Sequence, residues 1–474
     1  MGSEIEQTQF GPEDFERYSR HLDEETQLLE SWLRSGRMDQ SGFVGGAELE
    51  AWLLDRNFFP AARNEEFLAR LDHPLVVPEL SRFNVELNVA PQRLSGQGLR
   101  LMENDLAAIW RRCLDVGRDL ESTLIMIGIL PTVRKEDLTL ENISKRNRYR
   151  ALNEQVLKLR EGRPLQLRIA GRDLLELSQP DVMLEAATTS FQLHFQTPAR
   201  EIARYYNASI VLSAPLVALA ANSPFLFGKS LWDETRIPVF EQAVDTGDAL
   251  HPEQSRVTFG SGYLTDGPIG YYRENIERYP ILLPMHFDRG AQRLHHLRLH
   301  NGTIWRWNRL LIGFDGADNP SLRVEHRVMP AGPTIVDMAA NAAVYFGAAH
   351  FLAQLRVPPE EDLPFETARE NFYRAARDGL DARVRWLDGS EVGVRELLSD
   401  ELFHMARQGL ILLGVDRDDA HRYLDLVRAR VRNGQTGAVW QREHAQLYGS
   451  DFFRMTADYL AQQRSEMPVH EWAI

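Results

Sequence analysis

Strict alternation between apolar and polar residues is the most informative pattern in this chain. Four segments follow it: residues 45–50, 84–89, 191–196 and 322–328. Neighbouring side chains of a strand point to opposite faces of a sheet, so each segment predicts a strand with one apolar and one polar face. The polar faces carry Glu48 and Glu50; Asn84, Glu86 and Asn88; Gln192, His194 and Gln196; and Arg323, Glu325 and Arg327. The pattern therefore predicts a sheet with an apolar back and a polar front.

A polar strand face either contacts solvent or lines a functional site. Taken singly, each of the four faces is explained by solvent exposure. Taken together they favour a site, because a solvated face normally carries Lys, Thr, Ser and mixed charges, whereas carboxylates, one imidazole, amides and guanidinium groups recur here. Carboxylates are preferred ligands of magnesium and manganese when phosphates complete the coordination shell. The combination predicts a site for a divalent cation and a polyphosphate.

The spacing of apolar residues divides the chain into three regions. Residues 1–40 are acidic and have helical character, and residues 41–355 alternate between strand-like and helical segments. Residues 356–474 have helical spacing almost throughout, as in Phe372 and Ala376. We expect a helical N-terminal extension, a central domain that carries the polar strand faces, and a helical C-terminal region packed on the outside of that domain.

Composition and charge narrow the class of protein. The chain has 474 residues, of which 43% are hydrophobic, so it can bury a large core. Its net charge of −14 argues against a broad surface that binds nucleic acid or a membrane. Small-molecule partners are therefore expected, and self-association into a homo-oligomer stays open.

Three features predict a cytoplasmic location. Cys113 is the only cysteine, so no intrachain disulfide can form, and its position in an apolar helical stripe predicts a buried, inert thiol. The first twenty residues contain no apolar run of the kind found in signal peptides. The most apolar window, residues 208–227, is interrupted by polar residues and prolines, which favours a buried helix and turn over a membrane span.

Other familiar catalytic patterns are missing from the sequence. There is no glycine-rich phosphate loop of the Walker type, so a nucleotide has to be held in another way. No convincing Ser-His-Asp or Cys-His arrangement is present. The cluster His295, His296 and His300 lies beside Arg293 and Arg298 without an obvious carboxylate partner, which favours surface or strand histidines over a zinc site.

Several motifs, taken in order, resemble the glutamate–cysteine ligase family, which is related in catalytic fold to glutamine synthetase. No single motif is decisive, but their order from about residue 43 to residue 346 is. They are Gly46-Ala47-Glu48-Leu49-Glu50, Glu79 through Glu86-Leu87, Gly128-Ile129-Leu130-Pro131, Arg148-Tyr149, Gln192-Leu193-His194, Asn222-Ser223-Pro224, Asn301 through Trp307, and Arg323 through Pro333. The family commonly has a denser acidic run at the first strand, where this chain has Ala47.

The resemblance implies an α+β fold: a curved, mainly antiparallel β-sheet funnel of the glutamine synthetase-like type with surrounding helices. ATP would enter one end of the funnel and the amino-acid substrates the other. The resemblance also implies two sites for Mg²⁺ or Mn²⁺. One would be formed by Glu50, Glu79 and Glu86, and the other, near the nucleotide phosphates, by Glu48, His194 and Glu325.

Three arginines have roles implied by the same resemblance. Arg327 is expected to stabilise charge on the transferring phosphoryl group. Arg236 lies where related ligases place an arginine that meets the glutamate substrate, although a surface ion pair is an alternative. Arg309 is a candidate for contact with the nucleotide or its phosphates.

The implied activity is an ATP- and Mg²⁺-dependent carboxylate–amine ligase that forms a γ-glutamyl amide through a γ-glutamyl phosphate. Glutamate, ATP and an amine such as cysteine would be the substrates, which would place the enzyme in glutathione biosynthesis. Nothing in the residues selects cysteine over another amine. A phosphoryl-transfer variant with an unusual nucleophile and a non-catalytic relative that binds a nucleotide or metabolite are the alternatives.

Overall fold

The computed structural model describes residues 9–38, 42–246, 255–287 and 290–474. The strands are β1 (Val44–Leu54), β2 (Val76–Pro78), β3 (Asn84–Asn88), β4 (Gln92–Arg93), β5 (Thr123–Ile125), β6 (Leu165–Ala170), β7 (Leu174–Gln179), β8 (Phe191–Thr197), β9 (Phe225–Leu226), β10 (Lys229–Ser230), β11 (Asn308–Phe314), β12 (Pro320–His326), β13 (Arg383–Arg385) and β14 (Glu391–Gly393).

The helices surround the strands and dominate the C-terminal part of the chain. They are α1 (Pro12–Arg34), α2 (Asn64–Leu71), α3 (Gly98–Asp119), α4 (Asn147–Leu159), α5 (Ile202–Ala220), α6 (Arg236–Ala243), α7 (Pro268–Arg278), α8 (His295–Gly302), α9 (Ile335–Ala353), α10 (Pro359–Asp362), α11 (Phe365–Asp378), α12 (Val394–Leu397), α13 (Phe403–Leu413), α14 (Arg417–Asn433), α15 (Gly437–Tyr448) and α16 (Phe452–Arg464).

The central element is an eight-stranded antiparallel sheet that curls into a half-barrel. Its strands follow the order β11-β12-β8-β1-β3-β2, and β4 and β5 pair with the ends of β1. The apolar back of the sheet packs against α3, α5 and α9. The predicted α+β class, with a curved antiparallel sheet and a helical C-terminal region, is confirmed.

The register of the sheet aligns the polar residues of neighbouring strands. Glu50 on β1 lies opposite Glu86 on β3, and His194 on β8 lies opposite Glu325 on β12. Glu48 shares a face with Glu50 because the two residues are two positions apart. Side chains of directly opposed residues lie on the same face of a sheet, so carboxylates from three strands and one imidazole meet there.

The polar face of the sheet is buried. Glu86, His194 and Glu325 are each less than a tenth exposed. Solvent exposure, which explains each strand taken singly, is therefore wrong for these residues. The physical reason is that residues outside the sheet, including Tyr149 on α4 and Arg298 on α8, form the opposite wall of a cavity over the polar face.

Two helices are long and apolar enough to cross a membrane by length and composition alone, α5 and α9. Their most apolar windows are 89% and 78% buried inside the protein. The two helices pack on each other and on α11 and α13, as core helices do. The predicted buried helix within residues 208–227 is therefore found as part of α5. Cys113 is fully buried in α3, where burial raises the pKa of its thiol to about 12.

The predicted N-terminal helix is present as α1, although residues 1–8, 39 and 40 of the extension lie outside the described residues. In the C-terminal region, α13 and α14 cover α9, which itself backs the sheet. The boundaries after residues 40 and 355 stay predictions as divisions between domains.

Candidate active site

Three adjacent strands bring together the first group of candidate ligands, Glu48, His194 and Glu325. One potential ligand atom from each residue lies within 4.8 Å of the others. Nε2 of His194 is 3.1 Å from Oε1 of Glu48 and is buried without a hydrogen-bond partner in the described part of the chain. Such an orphaned nitrogen beside two carboxylates fits a divalent cation.

Arg323 influences how His194 can act. Its Nε donates a hydrogen bond of 3.1 Å to Nδ1 of His194. A neutral imidazole that accepts at Nδ1 carries its proton on Nε2. A cation bound at Nε2 therefore requires Arg323 to release Nδ1, so that the proton can move there.

Glu325 is held by two guanidinium groups. Arg309 donates to both carboxylate oxygens, from Nε at 2.7 Å and from Nη2 at 3.0 Å, and Nη1 of Arg327 lies 3.2 Å from Oε2. Burial by itself raises the pKa of Glu325, but the two arginines outweigh it and hold the pKa well below its usual range. For Glu48, burial raises the pKa and the neighbouring His194 lowers it. The lowering is larger, and the pKa falls to about 2. Both carboxylates stay ionised at neutral pH.

The second group consists of three carboxylates, Glu50 on β1, Glu79 just after β2, and Glu86 on β3. Their ligand atoms also lie within 4.8 Å of one another. Burial, and then the charge of Glu79, raise the pKa of Glu50 to about 7. Burial and the charges of Glu48 and Glu79 raise the pKa of Glu86 well above its usual range. A divalent cation would offset this mutual repulsion, so the donor set fits Mg²⁺.

Polar neighbours orient the carboxylates of this second group. Glu50 accepts hydrogen bonds from the backbone N–H of Ser190 at 2.6 Å and from Nε2 of Gln192 at 2.9 Å. Glu86 accepts a hydrogen bond of 2.8 Å from Nδ2 of Asn88. A carboxylate has about four acceptor positions, so these bonds fix its direction and leave lone pairs for a cation.

A cavity of about 230 Å³ is lined by Glu48 of the first group and by all three carboxylates of the second, Glu50, Glu79 and Glu86. A second cavity of about 40 Å³ adjoins it and shares the walls formed by Glu50, Glu79 and Arg327. Such a cavity with convergent charged groups is the usual form of a small-molecule site.

Arg236 lines the smaller cavity from the start of α6. It is 2% exposed, so the alternative of a surface ion pair is wrong. Nε lies 3.1 Å from Oε1 of Glu234, Nη2 donates to the carbonyl oxygen of Val328, and the guanidinium lies 5.2 Å from the ring centre of Trp307. Burial lowers the pKa of Arg236, yet two nearby carboxylates, Glu234 and Glu50, favour its charged form.

Seven of the nine candidate site residues thus line this pair of cavities. The other two, His194 and Glu325, line neither cavity but lie within ligand distance of Glu48, which does. The roles of all nine stay predictions. Sequence reasoning missed Glu185, which lines both cavities, and assigned no role to Arg148 and Tyr149, which line the larger one. The pair Arg148-Tyr149 was visible as a motif. Glu185 gave no signal because it lies in the 3₁₀ helix Val182–Ala187, where no period-two pattern marks a cavity-facing residue.

Two residues of the histidine cluster, His296 and His300, are buried on the helix α8, so the expectation of surface or strand histidines is wrong for them. Among the described residues, neither group of clustered candidate ligands includes any of its three histidines. Nδ1 of His296 is 2.7 Å from Oε1 of Glu25, and the backbone N–H of Leu297 donates to Oε2 at 2.8 Å. The carboxylate partner that the local sequence lacks is supplied by α1, 271 residues away.

Glu25 therefore fastens α1 to α8, and α8 in turn contributes His295 and Arg298 to the cavity wall. We expect Glu25→Gln to lower the free energy of unfolding by about 2 kcal/mol, because hydrogen bonds to a buried charge are worth that much. Urea denaturation measures the effect. Glu24→Gln, the same change at the exposed neighbouring position, is the control. Equal stability of the two variants would show that the buried contact does not hold the helix.

The sequence model of glutamate-cysteine ligase family 2 (GCS2) matches residues 44–457. The chain belongs to this family. The match extends more than a hundred residues beyond residue 346, where the motif resemblance ends, and includes most of the C-terminal helices. A member of this family is a carboxylate–amine ligase.

Two solved structures resemble this ligase. The glutamate–cysteine ligase of Francisella tularensis, in complex with AMP, has a TM-score of 0.58 at 12% identity, with 90% of each chain covered. A bifunctional glutathione synthetase from Pasteurella multocida has a TM-score of 0.51 at 12% identity, and the match covers 93% of this chain but 55% of that one. At this identity the likeness supports the fold alone. No curated protein sequence matches the chain.

Proposed function

We propose that this ligase joins the γ-carboxylate of glutamate to an amine, using ATP and Mg²⁺. The observation that carries the proposal is the convergence of two groups of candidate cation ligands on one buried face, beside a cavity lined by arginines. Neither a metal-free hydrolase nor a simple binding protein needs that arrangement. Membership of the family supports the same reaction class.

The chemistry explains why such a site is needed. A carboxylate is a poor electrophile, because a nucleophile has to add to a group that is already negative. Transfer of the γ-phosphoryl group of ATP to the γ-carboxylate releases ADP and creates an acyl phosphate. The amine nitrogen then forms a C–N bond to the acyl carbon and loses a proton, while the C–O bond breaks and phosphate leaves. Mg²⁺ held by the two groups would supply charge neutralisation of the phosphates.

The side chains of this chain have distinct tasks in the proposed reaction. Arg327 faces the larger cavity and is placed to stabilise charge on the phosphoryl group in transfer. Arg309 fixes Glu325 by its bidentate bond and lines the same cavity, where nucleotide contact is its second expected task. Arg236, in the smaller cavity, is suited to the α-carboxylate of glutamate.

The amine is the open part of the proposal. Cysteine is the amine that the family name indicates, and a ligase for another amine has the same requirements at the phosphoryl-transfer site. A non-catalytic relative would have no use for both complete cation-binding groups together with Arg327, so their joint presence favours a catalyst. Cytoplasmic location and self-association stay predictions.

The decisive assay measures phosphate release from ATP and Mg²⁺ with glutamate and a panel of amines that includes cysteine. Release that depends on both glutamate and one amine, with the γ-glutamyl amide identified by mass spectrometry, supports the proposal. Release with glutamate alone, trapped by hydroxylamine as the hydroxamate, would indicate an acyl phosphate whose natural nucleophile is outside the panel. ATP binding without either outcome contradicts a ligase.

Metal binding should depend on pH through the second carboxylate group. The pKa of Glu50 is raised from 4.5 to about 7, so between these pH values the metal-free protein takes up a proton on folding. Protonation of Glu50 therefore contributes to the stability of the metal-free protein at low pH, and this contribution is lost as pH rises from 4.5 to 7. Mg²⁺ binds the deprotonated form. We expect EDTA-treated protein to gain more thermal stability from Mg²⁺ at about pH 8 than at about pH 6, approaching ~2.7 kcal/mol at a hundredfold excess over Kd.

The melting temperature with and without Mg²⁺ at both pH values measures this effect. Glu50→Gln removes one of the two carboxyls of this group whose pKa is raised, the other being Glu86, and should reduce the pH dependence of the gain. An equal gain at both pH values in the unmodified protein would mean that the cation binds elsewhere.

A further inference from the structure

The smaller cavity contains a carboxylate that the proposed reaction has not yet used. Resting on the proposed function, we propose that Glu185 binds the α-ammonium group of the amino-acid substrate, while Arg236 binds its α-carboxylate. The substrate class would then be an α-amino acid with a second carboxylate on its side chain. The proposal makes Glu185 a specificity-determining residue of the ligase.

The surroundings of Glu185 indicate a missing cationic partner. Its Oε2 is buried and forms no hydrogen bond with the described residues. Burial, and then the charges of Glu79 and Glu50, raise the pKa of the Glu185 carboxyl to about 8. A buried carboxyl oxygen without a partner is destabilising, and a ligand with an N–H donor and a positive charge would relieve both the lost hydrogen bond and the repulsion.

A metal ion is a poorer candidate for that partner. The ligand atoms of Glu50, Glu79 and Glu86 form one compact group and those around His194 form another, and Glu185 belongs to neither among the described residues. It lies instead where the two cavities join, since it lines both. A carboxylate at this junction can contact the α-ammonium of a substrate whose head lies in the smaller cavity and whose side chain extends toward the larger one.

Arg236 supplies the opposite charge in the same cavity of about 40 Å³. Its Nε and Nη2 bond to the protein, whereas Nη1 forms no hydrogen bond within the described ranges. An α-amino acid carries an ammonium and a carboxylate on one carbon, so a guanidinium and a carboxylate in a small cavity match its head. Because Glu50, Glu79 and Arg327 form the wall shared with the larger cavity, the side-chain carboxylate would extend toward the phosphoryl-transfer site.

The test compares glutamate with two analogues, each of which lacks one charge. Glutarate lacks the α-ammonium group, and 4-aminobutyrate lacks the α-carboxylate. Wild-type enzyme should prefer glutamate over both in kcat/KM. Glu185→Gln should reduce the preference over glutarate by about 100-fold, the worth of one hydrogen bond to a charged group, and should leave the preference over 4-aminobutyrate intact.

KM values separate this role from others. In Glu185→Gln the KM for glutamate should rise, while those for ATP and the amine stay near wild type. Glu185→Asp keeps the charge on a shorter side chain, so its KM for glutamate should lie between those of wild type and Glu185→Gln. It serves as the second variant if Glu185→Gln does not fold. Glu176→Gln, at an exposed position of β7 paired with Arg168, is the matched control.

Two outcomes overturn the inference: an unchanged preference for glutamate over glutarate in both Glu185 variants, or a rise in KM for the amine in place of glutamate. Failure of the proposed function gives a different result. If wild-type enzyme does not use glutamate but ligates another α-amino acid, the inference holds when Glu185→Gln selectively lowers kcat/KM for that acid. If it ligates only acids without an α-ammonium group, the inference is wrong.

Discussion

Glu325→Gln should reduce ligase turnover by about a thousandfold, the loss typical when a central electrostatic group of an active site is removed. Glu325 is a candidate cation ligand and also the shared partner of Arg309 and Arg327. Glutamine keeps the shape but not the charge, so it weakens cation binding and leaves two buried guanidinium groups without their anion. Phosphate release at saturating ATP, titrated with Mg²⁺, measures the loss.

The same substitution should also destabilise the fold, by about 3 kcal/mol, because an unpaired buried charge is left behind. Thermal unfolding therefore has to accompany the assay, at a temperature where the variant is folded. Glu391→Gln is a suitable control, since Glu391 is also a strand residue paired with an arginine, Arg383, but lies on the surface. Full turnover in folded Glu325→Gln would remove Glu325 from the proposed cation site.

Arg327→Met is expected to lower kcat by about a thousandfold, within the range for arginines that stabilise phosphoryl transfer, with a smaller change in the KM for ATP. Arg327 bonds to Gln192 and Glu325 through Nη1, while its Nε is buried without a partner among the described residues. We expect a phosphoryl oxygen to accept a hydrogen bond from the guanidinium of Arg327, which lines both cavities. Single-turnover measurement of acyl phosphate formation isolates the step.

Arg327→Lys should recover only part of the rate, because an ammonium cannot reproduce the fixed fork of a guanidinium. Arg168→Met, at an exposed strand position paired with Glu176, controls for loss of an arginine as such. A raised KM for ATP with unchanged kcat would mean that Arg327 binds the ground state and not the transition state.

The local sequence predicted the polar strand faces well because a strand has a period of two. Glu48 and Glu50, or Glu325 and Arg327, lie on one face whatever the rest of the chain does. The resemblance then grouped the carboxylates and His194 into two sets, and the structure places the members of each set together. Spacing alone could not have done so, since it contains no information about which strands are neighbours.

Residues outside the strands were harder to predict. Glu185 has no periodic signal, and Glu25 meets His296 across 271 residues of chain. The absence of a carboxylate partner for the histidine cluster was therefore a property of the local sequence and not of the protein. Contacts between distant segments depend on how helices pack over the sheet, which local propensity does not encode.

By itself, then, the sequence determined the class of residues on each strand face, the helical ends and the family. The tertiary structure decided the strand order β11-β12-β8-β1-β3-β2, the register that sets His194 against Glu325, and the burial of the polar face beneath other parts of the chain. The reason is physical. Side-chain direction follows from backbone geometry residue by residue, whereas register, burial and shifted pKa values arise only when distant segments pack together.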